Sequence, residues 1–231
     1  MNFFYFFNKN FFIFIIFTLP LVHILADKPK AESLSNQINY KPKVYKHLLG
    51  MEGFSDDLLN IHFTLYQGYV ANINLIQNEI NSLRGEPKVN FLLYSSLKRR
   101  LAWEFNGMRL HEMYFGNLGG AGDPSVAKDL VRLMANQYGS YELWKKDFIQ
   151  TGLMRGIGWA ILCRDNDTAK LFNIWINEHD VGQLTSSTPL LIMDVFEHAY
   201  ITQYRLDRAK YIDAFFANID WAVVGKRAGG K

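Results

Sequence analysis

Asp194 and His198 stand four residues apart in the run Thr188-Pro-Leu-Leu-Ile-Met-Asp-Val-Phe-Glu-His-Ala-Tyr200. An apolar strand ends there in a carboxylate, and an imidazole follows one turn later. That spacing lets both side chains converge on one ion. Two further histidines, His62 and His111, fall on stretches that read as long helices. Three imidazoles and one carboxylate suit a redox-active first-row ion, iron or manganese, better than a closed structural zinc site, which favours thiolates. The single cysteine, Cys163, leaves no thiolate cluster to compete.

The elements that must position these residues follow from apolar spacing. Ser55-Asp-Asp offers a helix N-cap with acid in the first turn. From Leu58 the apolar face recurs through Leu59, His62, Phe63, Tyr66, Tyr69, Val70, Ile73 and Ile76, which predicts a helix to about Leu83, ended by Arg84-Gly-Glu-Pro. A second long helix is expected over Phe91 to Phe115, carrying His111. Joined by a short turn, the two form an antiparallel hairpin that brings His62 and His111 within reach of each other.

Asn117-Leu-Gly-Gly-Ala-Gly-Asp-Pro124 marks a boundary. Beyond it, amphipathic helices are expected over Ser125–Tyr138 and Ser140–Met154. The period then changes to that of strands, over Gly158–Arg164, Lys170–Ile176 and Pro189–Met193, the first two joined by a hairpin turn at Asp165-Asn-Asp-Thr168. Helical stretches at Glu197–Arg205 and Ala209–Val224 close the chain. The expected fold class is α+β, with an N-terminal antiparallel α-helical hairpin domain (45–120) and a C-terminal domain (121–226) of helices packed on a three-stranded antiparallel sheet.

Nearly half of the 231 residues are apolar and 15% are aromatic, a globular composition. The formal charge is +3, which is no nucleic-acid footprint. Residues 1–26 hold one charge, Lys9, ahead of an apolar stretch from Phe11 to Leu25, and Ala26 precedes the polar Asp27-Lys-Pro-Lys. This pattern reads as a cleaved signal peptide, placing the mature chain in a secreted or periplasmic setting, free of the membrane. An uncleaved leader would make it a membrane anchor. Residues 27–44 read as an extended lead-in.

Taken together, these motifs resemble the iron/manganese superoxide dismutases over about Tyr45 to Lys226. Asp194-Val-Phe-Glu-His-Ala-Tyr200 is similar to the family's Asp-x-Trp-Glu-His-Ala-Tyr signature, with Phe196 in place of tryptophan. His111-Glu-Met-Tyr-Phe-Gly-Asn-Leu118 is similar to its His-x-x-Phe/Tyr-Trp-x-x-Leu segment. His62 with Tyr66-Gln-Gly-Tyr-Val-Ala-Asn-Ile-Asn74 resembles the first helix, and Gly139–Phe148 with Gly156-Ile-Gly-Trp159 resemble the second half. The resemblance implies ligands His62, His111, Asp194 and His198 with one bound water or hydroxide, and dismutation of the superoxide anion to dioxygen and hydrogen peroxide on one iron or manganese ion per subunit. It implies that Tyr69 gates protons and substrate, and that His179 orients the bound solvent where many members use glutamine. Other members supply that glutamine from the second helix, where Gly107 stands here. The choice of histidine leans toward iron. Trp159, Phe115 and Phe196 are expected to line the site, and Glu197 to pair with His198 of a second subunit in a homodimer.

The chain also departs from the family. His62 precedes Tyr69 by seven residues where most members show eight, so a more regular first helix is expected, without a π-bulge. The family's gateway histidine is replaced by Leu65 or Tyr66, and its tyrosine partner by Ile201. Two rival readings compete: a non-catalytic metal-binding or surface interaction module on the same fold, and an oxygen-using enzyme of the two-histidine, one-carboxylate type. The latter needs more open coordination positions than three histidines and an aspartate leave.

Overall fold

The computed structural model describes residues 39–229. The expected leader and the lead-in up to residue 38 lie outside that range. Helix α1 spans Asp56–Arg84 and α2 spans Phe91–Gly116. Ser55 Oγ accepts from the Leu58 N–H at 3.2 Å, and Asp56 and Asp57 occupy the first turn, where the positive end of the helix dipole favours acid. Leu58, Leu59, His62, Tyr66, Val70, Ile73, Ile76 and Ile80 are all buried, a stripe at three- and four-residue spacing that packs on α2. Helix α1 is α-helical throughout, as the seven-residue interval from His62 to Tyr69 implies. Asn90 caps α2 through the Leu93 N–H at 3.2 Å.

The second half holds α3 (Lys128–Tyr138), α4 (Tyr141–Leu153), β1 (Gly158–Asp165), β2 (Leu171–Asn177), β3 (Ser187–Asp194), α5 (Ile201–Tyr204), α6 (Arg208–Ala217) and α7 (Trp221–Arg227). The three strands form an antiparallel sheet ordered β2-β1-β3. β1 is buried on both faces at its start, which accounts for its unbroken apolar run. Pro189 lies on the edge strand β3, opposite Cys163 beside a bulge, where a missing N–H is tolerated. Asp165 Oδ1 accepts from the Asp167 N–H, and Ala169 takes a left-handed φ of 58° to complete the expected hairpin turn.

Three expected helices are shorter or more divided than the apolar pattern implies. Ser125 does not start α3: Asp123 caps a 3-10 turn over Pro124–Ala127, and α3 begins at Lys128. Glu197–Arg205 divides into a 3-10 turn at Glu197–Ala199 and the single turn of α5. Ala209–Val224 breaks at Asn218–Asp220. Asp220 there caps the Ala222 and Val223 N–H groups, and Ile219 forms an isolated bridge with Leu118. At Asp123 and Asp220, side-chain-to-backbone bonds outcompete helix continuation.

One buried side chain ties the halves together. Asn117, immediately after α2, accepts from the Ile192 N–H at 3.0 Å and donates to the Ile192 carbonyl at 3.2 Å, pairing with β3 as a neighbouring strand would. The end of the His111 helix is thereby fixed to the strand that carries Asp194.

Candidate metal centre

His62 projects from the second turn of α1 and His111 from near the C-terminal end of α2, Asp194 is the last residue of β3, and His198 sits in the 3-10 turn that follows. His62 Nε2 and His198 Nε2 each lie 3.1 Å from Asp194 Oδ2, and His111 Nε2 lies 3.6 Å from it. One ligand atom from each residue falls within 4.8 Å of all the others. Around a single ion at metal–ligand distances of about 2.1 Å, neighbouring ligand atoms are separated by roughly 3.0 to 4.2 Å. The three distances from Asp194 Oδ2 fall within that range.

Each side chain is held in the orientation a ligand needs. The His111 Nδ1–H donates to the Gly107 carbonyl at 2.6 Å, which leaves Nε2 bare and pointing into the cluster. That Nε2 is buried and has no hydrogen-bond partner, an orphan that an ion would satisfy. Asp194 Oδ1 accepts from the Phe196 N–H at 2.9 Å, turning Oδ2 toward the histidines. The Tyr211 hydroxyl donates to the Asp194 carbonyl at 2.7 Å. Burial lowers the pKa of both His62 and His111 and so favours the neutral, ligating imidazole. Burial alone would raise Asp194. The His198 imidazole, with hydrogen bonds to His198 and His62, reverses this and holds the carboxyl well below the usual range. The residues therefore fit iron or manganese: nitrogen and oxygen donors, with His62 and His111 favoured neutral and Asp194 ionised, converging on one point.

Tyr69 and His179 stand beside the cluster. The Tyr69 ring is 5.1 Å from that of His111, and its hydroxyl lies 2.7 Å from His179 Nε2. Burial first, then the Asp194 charge, raises the phenol well above its ordinary value, so Tyr69 keeps its proton. His179 follows β2 in a turn where Glu178 takes a φ of 55°, and its side chain is fully buried, with burial lowering its pKa to about 4. The aromatic lining is as expected: Phe115 lies 4.9 Å from His62, Trp159 5.0 Å from His111 and Phe196 5.1 Å from His198.

Several residues support the site through contacts that the sequence did not signal. Gly107 is one: a Cβ there would lie 2.5 Å from the Tyr69 ring, so the bare backbone makes room for it. Trp103 packs edge-on against His179 at 4.7 Å, with the Arg100 guanidinium 5.0 Å from the Trp103 ring centre. Arg100 also pairs with the buried Glu104 at 2.6 Å. Buried Glu112, next to His111, accepts from Tyr66 at 3.0 Å and pairs with Arg109 and Lys43. Tyr66, near the family's gateway position, is thus turned away from the cluster and into this polar network.

An α-hairpin and a three-stranded sheet closing on three histidines and one aspartate define a mononuclear, non-haem redox-metal protein. The family model for iron/manganese superoxide dismutases, C-terminal domain, matches residues 126–227. Over 194 residues the chain is 36% identical to an iron superoxide dismutase of Aquifex pyrophilus, covering 81% of this chain and 90% of that protein. It is 35% identical, with the same coverage, to that of Aquifex aeolicus. It is also 33% identical over 160 residues to a manganese superoxide dismutase of Haloferax volcanii, covering 69% of this chain and 79% of that protein. The chain belongs to the iron/manganese superoxide dismutase family.

Proposed function

We infer that the protein dismutates superoxide at the cluster of His62, His111, Asp194 and His198. The observation that carries this reading is the convergence of four ligand atoms around a point toward which His111 Nε2 aims with no partner of its own. Bound iron or manganese supplies one-electron exchange, by which one superoxide is oxidised to dioxygen and another reduced to peroxide. The chain's residues do the rest. His62, His111 and Asp194 are 1% exposed or less and would hold the ion away from water. The His198 side chain, 24% exposed, marks the side closest to solvent. Phe196, stacked on His198, makes that side apolar, and the buried Phe115 and Trp159 pack against His62 and His111, a low-dielectric setting that strengthens electrostatic attraction for a small anion. Peroxide formation consumes two protons, and Tyr69 is the nearby hydroxyl that stays protonated and hydrogen-bonded at neutral pH.

Iron is the proposed metal, on the histidine at position 179 and the iron-named relatives; the ligands themselves suit manganese equally. A homodimer is proposed on the surface around Glu197. That carboxylate is exposed next to His198, in a depression it shares with the exposed Leu153 and Leu206 and with the charged Arg155, Asp207 and Arg208, a mix of apolar and charged groups suited to a subunit contact. Export through residues 1–26 is proposed on the sequence pattern alone, and N-terminal sequencing of the mature protein tests it. For the function, the purified protein is stripped of metal, reloaded separately with iron and with manganese, and assayed for superoxide consumption. Turnover with either ion is the expected outcome, and the better ion is the native one. Stoichiometric metal with no turnover in either form would instead identify a non-catalytic metal-binding module.

A further inference from the structure

The far end of the hairpin has no part in the core. Val89, Phe91, Leu92 and Leu93 are 42%, 75%, 79% and 42% exposed, and none of the four belongs to the buried cluster. Of the large apolar side chains described, only Leu206 is more exposed than Leu92 and Phe91. A single apolar residue in water is ordinary, but this run, broken only by the cap Asn90, forms a patch.

The same stretch is basic. From Arg84 to Arg99 the chain sets Arg84, Lys88, Lys98 and Arg99 against Glu86 alone, a net +3 that equals the formal charge of the whole chain. The rest of the molecule is therefore balanced, and its excess charge lies here. Among the described residues none of these four cations is in a salt bridge. Arg84 and Lys98 line one groove between α1 and α2, and Phe91, seven residues before Lys98, falls on that same helix face. The helix end adds to the field: α1 has Asp56 and Asp57 in its first turn, whereas α2 has no acid there.

We propose that the hairpin end docks on an anionic lipid bilayer, with Phe91 and Leu92 entering the acyl boundary and the four cations meeting the headgroups. A second copy of the chain fits this patch less well, because a two-fold contact would set the same cations against one another. A nucleic acid would leave Val89, Leu92 and Leu93 with no base to stack on. Docking is peripheral, since no helix among the described residues is long and apolar enough to cross a membrane. His111 lies 20 residues beyond Phe91 on α2, roughly 30 Å along the helix, so the ligand cluster stays clear of the lipid. The proposal is independent of what that cluster does.

The test uses the metal-loaded full chain carrying Leu92→Cys labelled with an environment-sensitive fluorophore. Cys163, the only native cysteine, is buried and stays unlabelled. With vesicles of phosphatidylglycerol and phosphatidylcholine in equal parts, the label should shift to the blue and be quenched by bromine placed in the acyl chains. Vesicles of phosphatidylcholine alone should give neither response. In the same labelled chain, Lys98→Glu with Arg99→Glu should weaken the response tenfold or more, and high salt should weaken it too, since each cation near such a surface adds about fivefold. Residues 1–26 are present in every sample, and acyl-chain bromine reports only whether position 92 itself enters the bilayer. No quenching with the anionic vesicles, or equal quenching with the neutral ones, overturns the proposal. So does a blue shift that grows with protein concentration in the absence of lipid, which would assign the patch to a second copy.

Discussion

The hairpin and the sheet-bearing half each give two ligands, by different means. His62 and His111 sit inside long helices whose backbones are rigid at every residue, and their rings are aimed by packed aromatics and by the Gly107 carbonyl. Asp194 and His198 come from the end of a strand and a single irregular turn, aimed by the Phe196 N–H and the Tyr211 hydroxyl. A helix fixes direction but spaces its side chains regularly. A strand end followed by a tight turn can fold two neighbouring side chains onto one point. The site needs both, and Asn117 holds them in register.

Removing one ligand from each half is the strongest way to break this comparison. His111→Ala and Asp194→Ala should each cost activity by more than the roughly 10–100-fold typical of residues that only support a ligand. Metal content should fall with it, as elemental analysis would show. Retained metal in either variant would mean that the other half binds the ion alone.

Acid should unfold the metal-free protein from the buried imidazoles first. His62, His111 and His179 have folded pKa values below the ordinary value of about 6.5, so the unfolded chain takes up protons that the folded chain refuses. Stability is therefore highest above that value and declines as pH falls below it. Asp194, lowered from an ordinary value of about 3.9, keeps its contribution until more acid conditions and then adds a second loss. Melting temperatures should be level from about pH 8 to 7 and fall steadily toward pH 5. A level profile throughout would mean that these rings are open to solvent.

Gly107→Leu and Asn117→Ala separate packing within the hairpin from the link between the halves. The first drives a side chain into the Tyr69 ring, and the second leaves the Ile192 N–H and carbonyl unpaired, each at about 1–3 kcal/mol in denaturant unfolding. Only the first should disturb Tyr69 fluorescence or ring resonances. The smallest effects should come from the caps: Ser55→Ala in the helical half and Asp220→Ala in the other, at about 1 kcal/mol each and with no change in metal content.

Much of this was legible in the sequence because its signals are local. The four-residue step from Asp194 to His198, the apolar stripe that includes His62, and the hairpin turn at Asp165 each declare themselves within a few residues. What stayed hidden depends on residues distant in the chain. Nothing near Gly107 says that Tyr69 will lie against it, and nothing near Asn117 says that Ile192 will be its partner. Glu104 and Glu112 look like ordinary helix-surface acids until Arg100, Arg109 and Lys43 are seen to bury them. Helix ends were overextended where Asp123 and Asp220 bind the backbone, since apolar periodicity carries no information about caps.

The ligand set has one more consequence, kinetic in nature. His62 and Asp194 are separated by 132 residues, and the chain's single cysteine can form no disulfide within it. An ion gripping both works as a clasp across a very large loop, a restraint of about 5 kcal/mol by chain entropy. Three of the four ligands are sealed from water, so the clasp opens only when hairpin and sheet part. Exchange should then be slow, so that iron or manganese enters the folded metal-free protein more slowly than it enters a chain refolding in its presence, a difference that elemental analysis over time would show.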